Sequence, residues 1–263
     1  MECGDSCESG FSASKMESFA VKTNASGKLV WTWTSKNGQH NDAANGILEL
    51  PSKDVLVVGW KQVGSVGYRY ITKLAGATGQ EIWTFIGFGD EAGKNGAIEL
   101  VVMDGETHVI VSGLKNKLDL EEMTFKSYGN CVGGVGWLAK IPVSALEKTS
   151  APVLSDVAWE KEFTGYSSVK ATATLPSTGN IAVLVWGEDA KACHVEMIKS
   201  DGSSTIWSKD YATNSKLEGT DIKVSQDESL LGISGHGGYL ADGVGYSGKV
   251  VLVKATDGVV AST

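Results

Sequence analysis

Cleaving a glycosidic bond takes two carboxylates that converge from different parts of a fold, about 5 to 9.5 Å apart. Acidic residues lying between apolar runs are therefore the first candidates for chemistry. Asp42, Asp90 and Glu91 stand in Gly- and Asn-rich stretches of this kind, and Glu188, Asp189 and Asp242 stand in similar ones. The same residue types also build ordinary solvated turns, so they are binding candidates first and catalytic ones second. His40, His108, His194 and His236 are far apart in sequence, and no Cys-x-x-Cys occurs, so no zinc ligand set is indicated. His194 directly follows Cys193. That neighbour would activate a thiol only if both side chains faced the same way, whereas adjacent residues on a strand point to opposite faces. No Gly-x-Gly-x-x-Gly or P-loop pattern follows an apolar strand and opens a helix, so no nucleotide cofactor is indicated. His40, Asp42, Asp90, Glu91, His194 and His236 remain as candidate binding residues, with no catalytic residue and no cofactor assigned.

Composition narrows the partner. The 263 residues carry 23 basic and 31 acidic side chains, a net charge of −8, which opposes docking on a phosphate backbone. Every basic residue but Arg69 is Lys, so the bidentate clamp that proteins use for anionic ligands is nearly missing. No run approaches the roughly 18 apolar residues of a membrane span. The opening residues are polar and Gly/Ser-rich and show no secretory leader. Cys3, Cys7, Cys131 and Cys193 make an even count, and Asn24-Ala25-Ser26 is a glycosylation sequon. Both lean towards an extracellular or secretory-pathway setting with Cys3–Cys7 and Cys131–Cys193 as candidate disulfides. Four free thiols in a cytoplasmic protein would leave the same count.

The elements that must position these residues emerge from self-similarity. An apolar strand ending in Lys, a turn containing Gly, and an apolar residue followed by Trp recur along the chain. The pattern reads Val21-Lys22 through Gly27 to Trp31, then Ile71-Thr72-Lys73 through Gly79 to Trp83. Looser copies run from Trp137-Leu138-Ala139-Lys140 to Trp159 and from Met197-Ile198-Lys199 through Gly202 to Trp207. A fifth starts at Val251-Leu252-Val253-Lys254 and stops where its Trp would fall. The Trp spacings are 52, 76 and 48 residues, the long interval carrying insertions near Lys115–Gly133 and Pro142–Asp156. A second hairpin recurs between the copies, as in Ile47-Leu48 through Lys53 to Val55-Leu56-Val57.

Each unit is thus four short strands, here a to d, which predicts an all-β fold: a β-propeller of four-stranded antiparallel blades in one domain. The expected units are a half blade at 17–34 and blades at about 46–85, 97–163, 169–210 and 219–263. The first unit offers only c and d, and the last lacks most of d. The expectation is therefore either a piece of a longer propeller or an open or incomplete ring completed by another chain or by an assembly.

The repeat resembles that of the quinoprotein, tryptophan-motif propellers, whose blades carry Ala-x-Asp-x-x-x-Gly-x-x-x-Trp. Gly27-Lys28-Leu29-Val30-Trp31 and Gly79-Gln80-Glu81-Ile82-Trp83 match its end, whereas Ala75 replaces the Asp expected before Gly79 and Gly202 lies five residues before Trp207. The resemblance implies a structural role between blades for Trp31, Trp83, Trp159 and Trp207. It does not extend to the family's cofactor chemistry, which uses a full ring of about eight blades, adjacent cysteines, an Arg and a calcium site. This chain has no adjacent cysteines, and its single Arg lies within Tyr68-Arg69-Tyr70.

In such folds the b–c and d–a connections share one face around the central channel, and long loops on a rigid frame concentrate binding residues. All four cysteines and the longest insertions fall on that face. The function expected is a non-catalytic binding or scaffold module for a protein or glycan partner. The alternative is a carbohydrate-active enzyme with paired loop carboxylates, or a relic of a quinoprotein dehydrogenase.

Overall fold

The computed structural model describes residues 17–35, 42–63, 66–87, 97–115, 135–186, 192–212, 217–237 and 247–262. Strands β1 (Phe19–Thr23) and β2 (Leu29–Thr34) form a two-stranded ribbon. Four antiparallel four-stranded sheets follow in strict sequence order. The first holds β3 (Asp42–Glu49), β4 (Val55–Val63), β5 (Val66–Leu74) and β6 (Glu81–Ile86). The second holds β7 (Ala97–Asp104), β8 (His108–Lys115), β9 (Val135–Pro142) and β10 (Trp159–Phe163). The third holds β11 (Ser168–Thr174), β12 (Ile181–Trp186), β13 (Ala192–Ile198) and β14 (Thr205–Ala212). The last holds β15 (Leu217–Val224), β16 (Leu230–Gly237), β17 (Ser247–Lys254) and β18 (Val260–Ser262). Consecutive first strands pack against each other, β3 on β7, β7 and β8 on β11, and β11 on β15. The molecule is a β-propeller of four-stranded antiparallel blades.

Burial explains which sequences became which strands. The b strands of the first three full blades are covered on both faces, so β4 runs Val55-Leu56-Val57-Val58-Gly59-Trp60 with every residue buried, and β12 runs Ile181 to Val185 likewise. Doubly covered strands read as unbroken apolar runs. Outer strands alternate instead: β2 buries Trp31 between exposed neighbours, and β6 buries Trp83 between half-buried ones. The insertion after β9 contributes a single helical turn, α1 (Val143–Leu146), whose Val143, Ala145 and Leu146 join the core between the first two full blades.

One feature recurs in all four a strands. The ladder to strand b skips one residue at Asn45, Glu99, Lys170 and Thr220. A bulge bends and twists its strand, and here each a strand bends at the same point, where it leaves the d–a connection. The first of these bulges lets β3 start at Asp42, four residues ahead of the boundary expected from the apolar pattern.

Candidate functional site

The antiparallel meander puts the a–b and c–d turns at one end of every blade and the b–c and d–a connections at the other. Most of the turns are tight and hydrogen-bonded, as in Gly79 N–H to Ala75 O and Gly258 N–H to Lys254 O, the exception being the 143–158 connection that holds α1. The other end carries most of the long connections. Among the candidate residues of that end, His40, Asp90 and Glu91 lie outside the described residues, as do Glu188, Asp189 and Asp242, and Cys3, Cys7 and Cys131. His236 is in β16, paired with Glu218 and Gly248.

Asp42 is described, and it is not presented to solvent. It is 1% exposed, and its Oδ1 accepts the Ser18 N–H at 2.9 Å. Ser18 N–H also donates to Ser35 Oγ, and Tyr70 Oη donates to Ser18 Oγ at 2.9 Å. Burial pushes the Tyr70 phenol upward, more than the Ser18 hydrogen bond pulls it down. Asp42 therefore ties the ribbon to the first full blade.

Cys193 and His194 do face opposite ways. Cys193 is a free thiol within the apolar core shared by the last two blades, and burial pushes it up to about 12, far from a reactive thiolate. His194 instead faces the preceding blade and gathers the densest set of ionisable and polar groups among the described residues. Its Nδ1 lies 2.6 Å from Asp210 Oδ1, and its Nε2 lies 3.1 Å from Ser208 Oγ and 3.6 Å from Glu196 Oε1. The Tyr166 ring, from the connection before β11, stacks on the imidazole at 4.4 Å. Lys161 of β10 approaches Glu196 at 3.8 Å, and Thr205 donates to Glu196 Oε2 at 2.9 Å. Strand pairing places these groups: His194 lies opposite Asp210, and Glu196 opposite Ser208, all on one face of the sheet.

Hydroxyl, imidazole and carboxylate thus stand in the order of a nucleophile, its base and the base's orienting group. Burial pulls the His194 pKa down, but the hydrogen bonds and charges of Glu196 and Asp210 outweigh it and hold it above its ordinary 6.5. The Glu196 carboxyl is held below its ordinary value, chiefly by His194. The two carboxylates favour the charged imidazole, and Lys161 of the preceding blade reaches the same Glu196. The cluster is an ion-pair lock between the second and third full blades.

A second recurring device joins the units. Trp31 Nε1 and Lys22 Nζ both donate to Gly76 O, in the c–d turn of the next unit, at 3.0 Å each. Trp83 Nε1 and Lys73 Nζ both donate to Lys148 O. Trp159 Nε1 and Lys140 Nζ both donate to Ser200 O. In the fourth case Trp207 Nε1 donates to Ala255 O and Tyr211 Oη to Gly258 O, because the strand residue opposite Trp207 is Met197 rather than Lys. Each clamp Lys also meets a carboxylate: Lys22 with Glu49, Lys73 with Asp54, Lys140 with Asp104. Each turn glycine leaves room for the indole. A Cβ would fall 2.7 Å from Trp31 at Gly79, 2.6 Å from Trp159 at Gly202 and 2.8 Å from Trp207 at Gly258. Elsewhere the Arg69 guanidinium lies 4.0 Å over the buried Trp137 ring. No group of three metal-ligating side chains occurs among the described residues, and no helix there is long and apolar enough to cross a membrane.

No family model and no curated protein matches the chain. Among solved structures it is similar to one from a nidogen/laminin complex, with 11% identity, a TM-score of 0.45, and 81% of this chain and 61% of that chain covered. It is likewise similar to BamB from Moraxella catarrhalis, with 11% identity, a TM-score of 0.39, and 92% and 77% covered. A third is the quinohemoprotein alcohol dehydrogenase from Comamonas testosteroni, with 11% identity, a TM-score of 0.45, and 92% of this chain and 56% of that one covered.

Proposed function

We propose that the chain is a non-catalytic binding or scaffold module that engages a protein or glycan partner through the face bearing its b–c and d–a connections. The supporting observation is the asymmetry between the two ends of the blades. One end carries short hydrogen-bonded turns clamped to the next unit, apart from the 143–158 segment that holds α1, while the other carries connections such as 116–134 and 238–246. A rigid frame with long loops gathered at one end is the usual arrangement for recognition. The best-organised polar cluster, around His194, is occupied in holding two blades together. The tryptophan repeat resembles that of the quinoprotein-like propellers, a likeness of blade type that carries no activity with it. A secreted setting is part of the same proposal, and it predicts a glycan on Asn24 in the protein isolated from its source.

A panel of glycosides and a glycan array, run on the full chain and on Asp90→Asn and Glu91→Gln variants, test the proposal. The expected result is no turnover by any of the three proteins. Turnover abolished by either substitution would overturn the proposal in favour of a carbohydrate-active enzyme. Binding on the array that vanishes when residues 118–131 are replaced by a short Gly-Ser linker would fix the glycan as the partner.

A further inference from the structure

The His194 cluster reaches beyond the two sheets it joins. Tyr166, whose ring stacks on the imidazole at 4.4 Å, belongs to the connection 164–167 between β10 and β11, at the loop end of the molecule. The backbone of that connection is held from two further directions. Tyr166 O accepts the Gly136 N–H at 2.6 Å, at the start of β9, and Ser167 N–H donates to Trp186 O at 2.6 Å, at the end of β12. The fit at Gly136 is tight, since a Cβ there would fall 3.3 Å from the Ser168 carbonyl carbon and 3.3 Å from Phe163 Cβ. Gly136 and Trp186 stand where the b–c connections of the second and third full blades meet their strands. Tyr166 thus ties His194 to the bases of two connections on the loop face.

The two protonation states of the imidazole make different demands on these neighbours. Among the described residues, the titratable and charged groups facing it are Asp210 of β14, Glu196 of β13, Lys161 of β10 and the Tyr166 phenol. The charged ring donates from Nδ1 to Asp210 and from Nε2 towards Ser208 and Glu196, and its charge is favoured by the Tyr166 π face. A neutral ring keeps its proton on Nδ1, because the Asp210 oxygen 2.6 Å away only accepts. Its Nε2 then presents a lone pair, which accepts from Ser208 but stands 3.6 Å from a Glu196 oxygen that also only accepts. Attraction there turns into repulsion. Lys161 and Thr205 hold Glu196 from its other side, so the ring and the tyrosine stacked on it give way first. Protons reach the pair from solvent, since the Asp210 side chain is 65% exposed although His194 is only 8% exposed.

We infer that His194 is a proton-operated latch for the loop face: the charged imidazole holds Tyr166 and the 164–167 connection against Gly136 and Trp186, and the neutral imidazole releases them. What the latch regulates rests on the reading of that face as the binding surface, and partner binding there is proton-linked. The direction follows from the site. Against the pull of burial, Glu196 and Asp210 hold the His194 pKa above its ordinary 6.5. The latch is therefore shut in neutral and mildly acidic solution and opens as pH rises through the folded value.

The test is NMR on the full chain, labelled with 13C and 15N and titrated from about pH 5 to 9 with no partner present. The His194 ring and the amides of Tyr166, Ser167 and Gly136 are expected to shift with one shared midpoint above 6.5. His108, held below its ordinary value by burial and by Lys140, supplies a second midpoint that these amides should not follow. Tyr166→Leu keeps the backbone hydrogen bonds but removes the stacked ring. In that variant His194 should still titrate, while the Gly136 and Ser167 amides cease to follow it. Asp210→Asn changes an exposed side chain and should lower the ring and amide midpoints together by about 1 pH unit. The latch is overturned if His194 does not titrate in this range, or if the Gly136 and Ser167 amides stay still while it does. It is equally overturned if those amides still follow His194 in Tyr166→Leu, or keep their midpoint when Asp210→Asn moves that of the ring. Because no partner takes part, these outcomes are separate from those of the glycan array, which tests the loop-face reading itself.

Discussion

At the scale of single residues, the His194 cluster sets a hydroxyl, an imidazole and two carboxylates beside a lysine of the preceding blade. Its ionisation has a testable sign. A histidine whose folded pKa is raised contributes stability that is present below its unfolded pKa near 6.5 and is lost as pH rises through the folded value. Glu196, held low, contributes stability present above its unfolded value of 4.5 and lost as pH falls through the folded one. The lock is therefore strongest between those limits. Thermal unfolding of the wild type and of His194→Gln across pH 4 to 9 should differ most in the window between 4.5 and 6.5 and converge above it. A constant difference across that range would show that His194 acts by packing alone. This cluster was not legible beforehand, because His194 and Asp210 are brought together by the β13–β14 register and not by any sequence spacing. The opposed directions of Cys193 and His194 were legible, since strand alternation alone dictates them.

At the scale of strands and turns, the repeat of Lys, Gly and Trp was visible in sequence, but the reason for the Lys was not. It lies one strand away from its Trp and converges with it on a carbonyl of the following unit, a relation that only the blade-to-blade packing creates. The clamp ion pairs supply a double-mutant test. Lys140 and Asp104 are both nearly fully buried and paired. Lys140→Met leaves Asp104 buried without its counter-charge and should cost about 3–5 kcal/mol in urea unfolding, with Asp104→Leu in the same chain recovering most of the loss. Additive losses would mean that the two residues act independently. The turn glycines offer a second contrast. Gly202→Ala puts a methyl against the Trp159 ring at a φ of +71 and should destabilise by about 2–4 kcal/mol, through overpacking added to backbone strain. The four a-strand bulges escaped sequence reading, since Asn45, Glu99, Lys170 and Thr220 share no residue type.

For the whole molecule, the unit count followed from periodicity alone, because doubly buried b strands and Trp-bearing outer strands leave different patterns. The loop face did not follow in the same way, since recognition residues obey no such periodicity. The ribbon should be the least stable part. It is a two-stranded sheet with one open face, and isolated hairpins are marginal in water. Amide hydrogen exchange should therefore be fastest in β1 and β2 and slowest in β4, β8 and β12, whose residues are buried on both sides. Uniform protection across all units would show that the blades unfold only as one cooperative body. Far-ultraviolet circular dichroism should show strand with almost no helix.

The clamps also give the molecule a direction. Each clamp tryptophan reaches from one unit into the turn of the next and never backwards. A change in one of these turns is therefore felt by the unit before it, whose tryptophan the turn holds, and not through this bond by the unit after it.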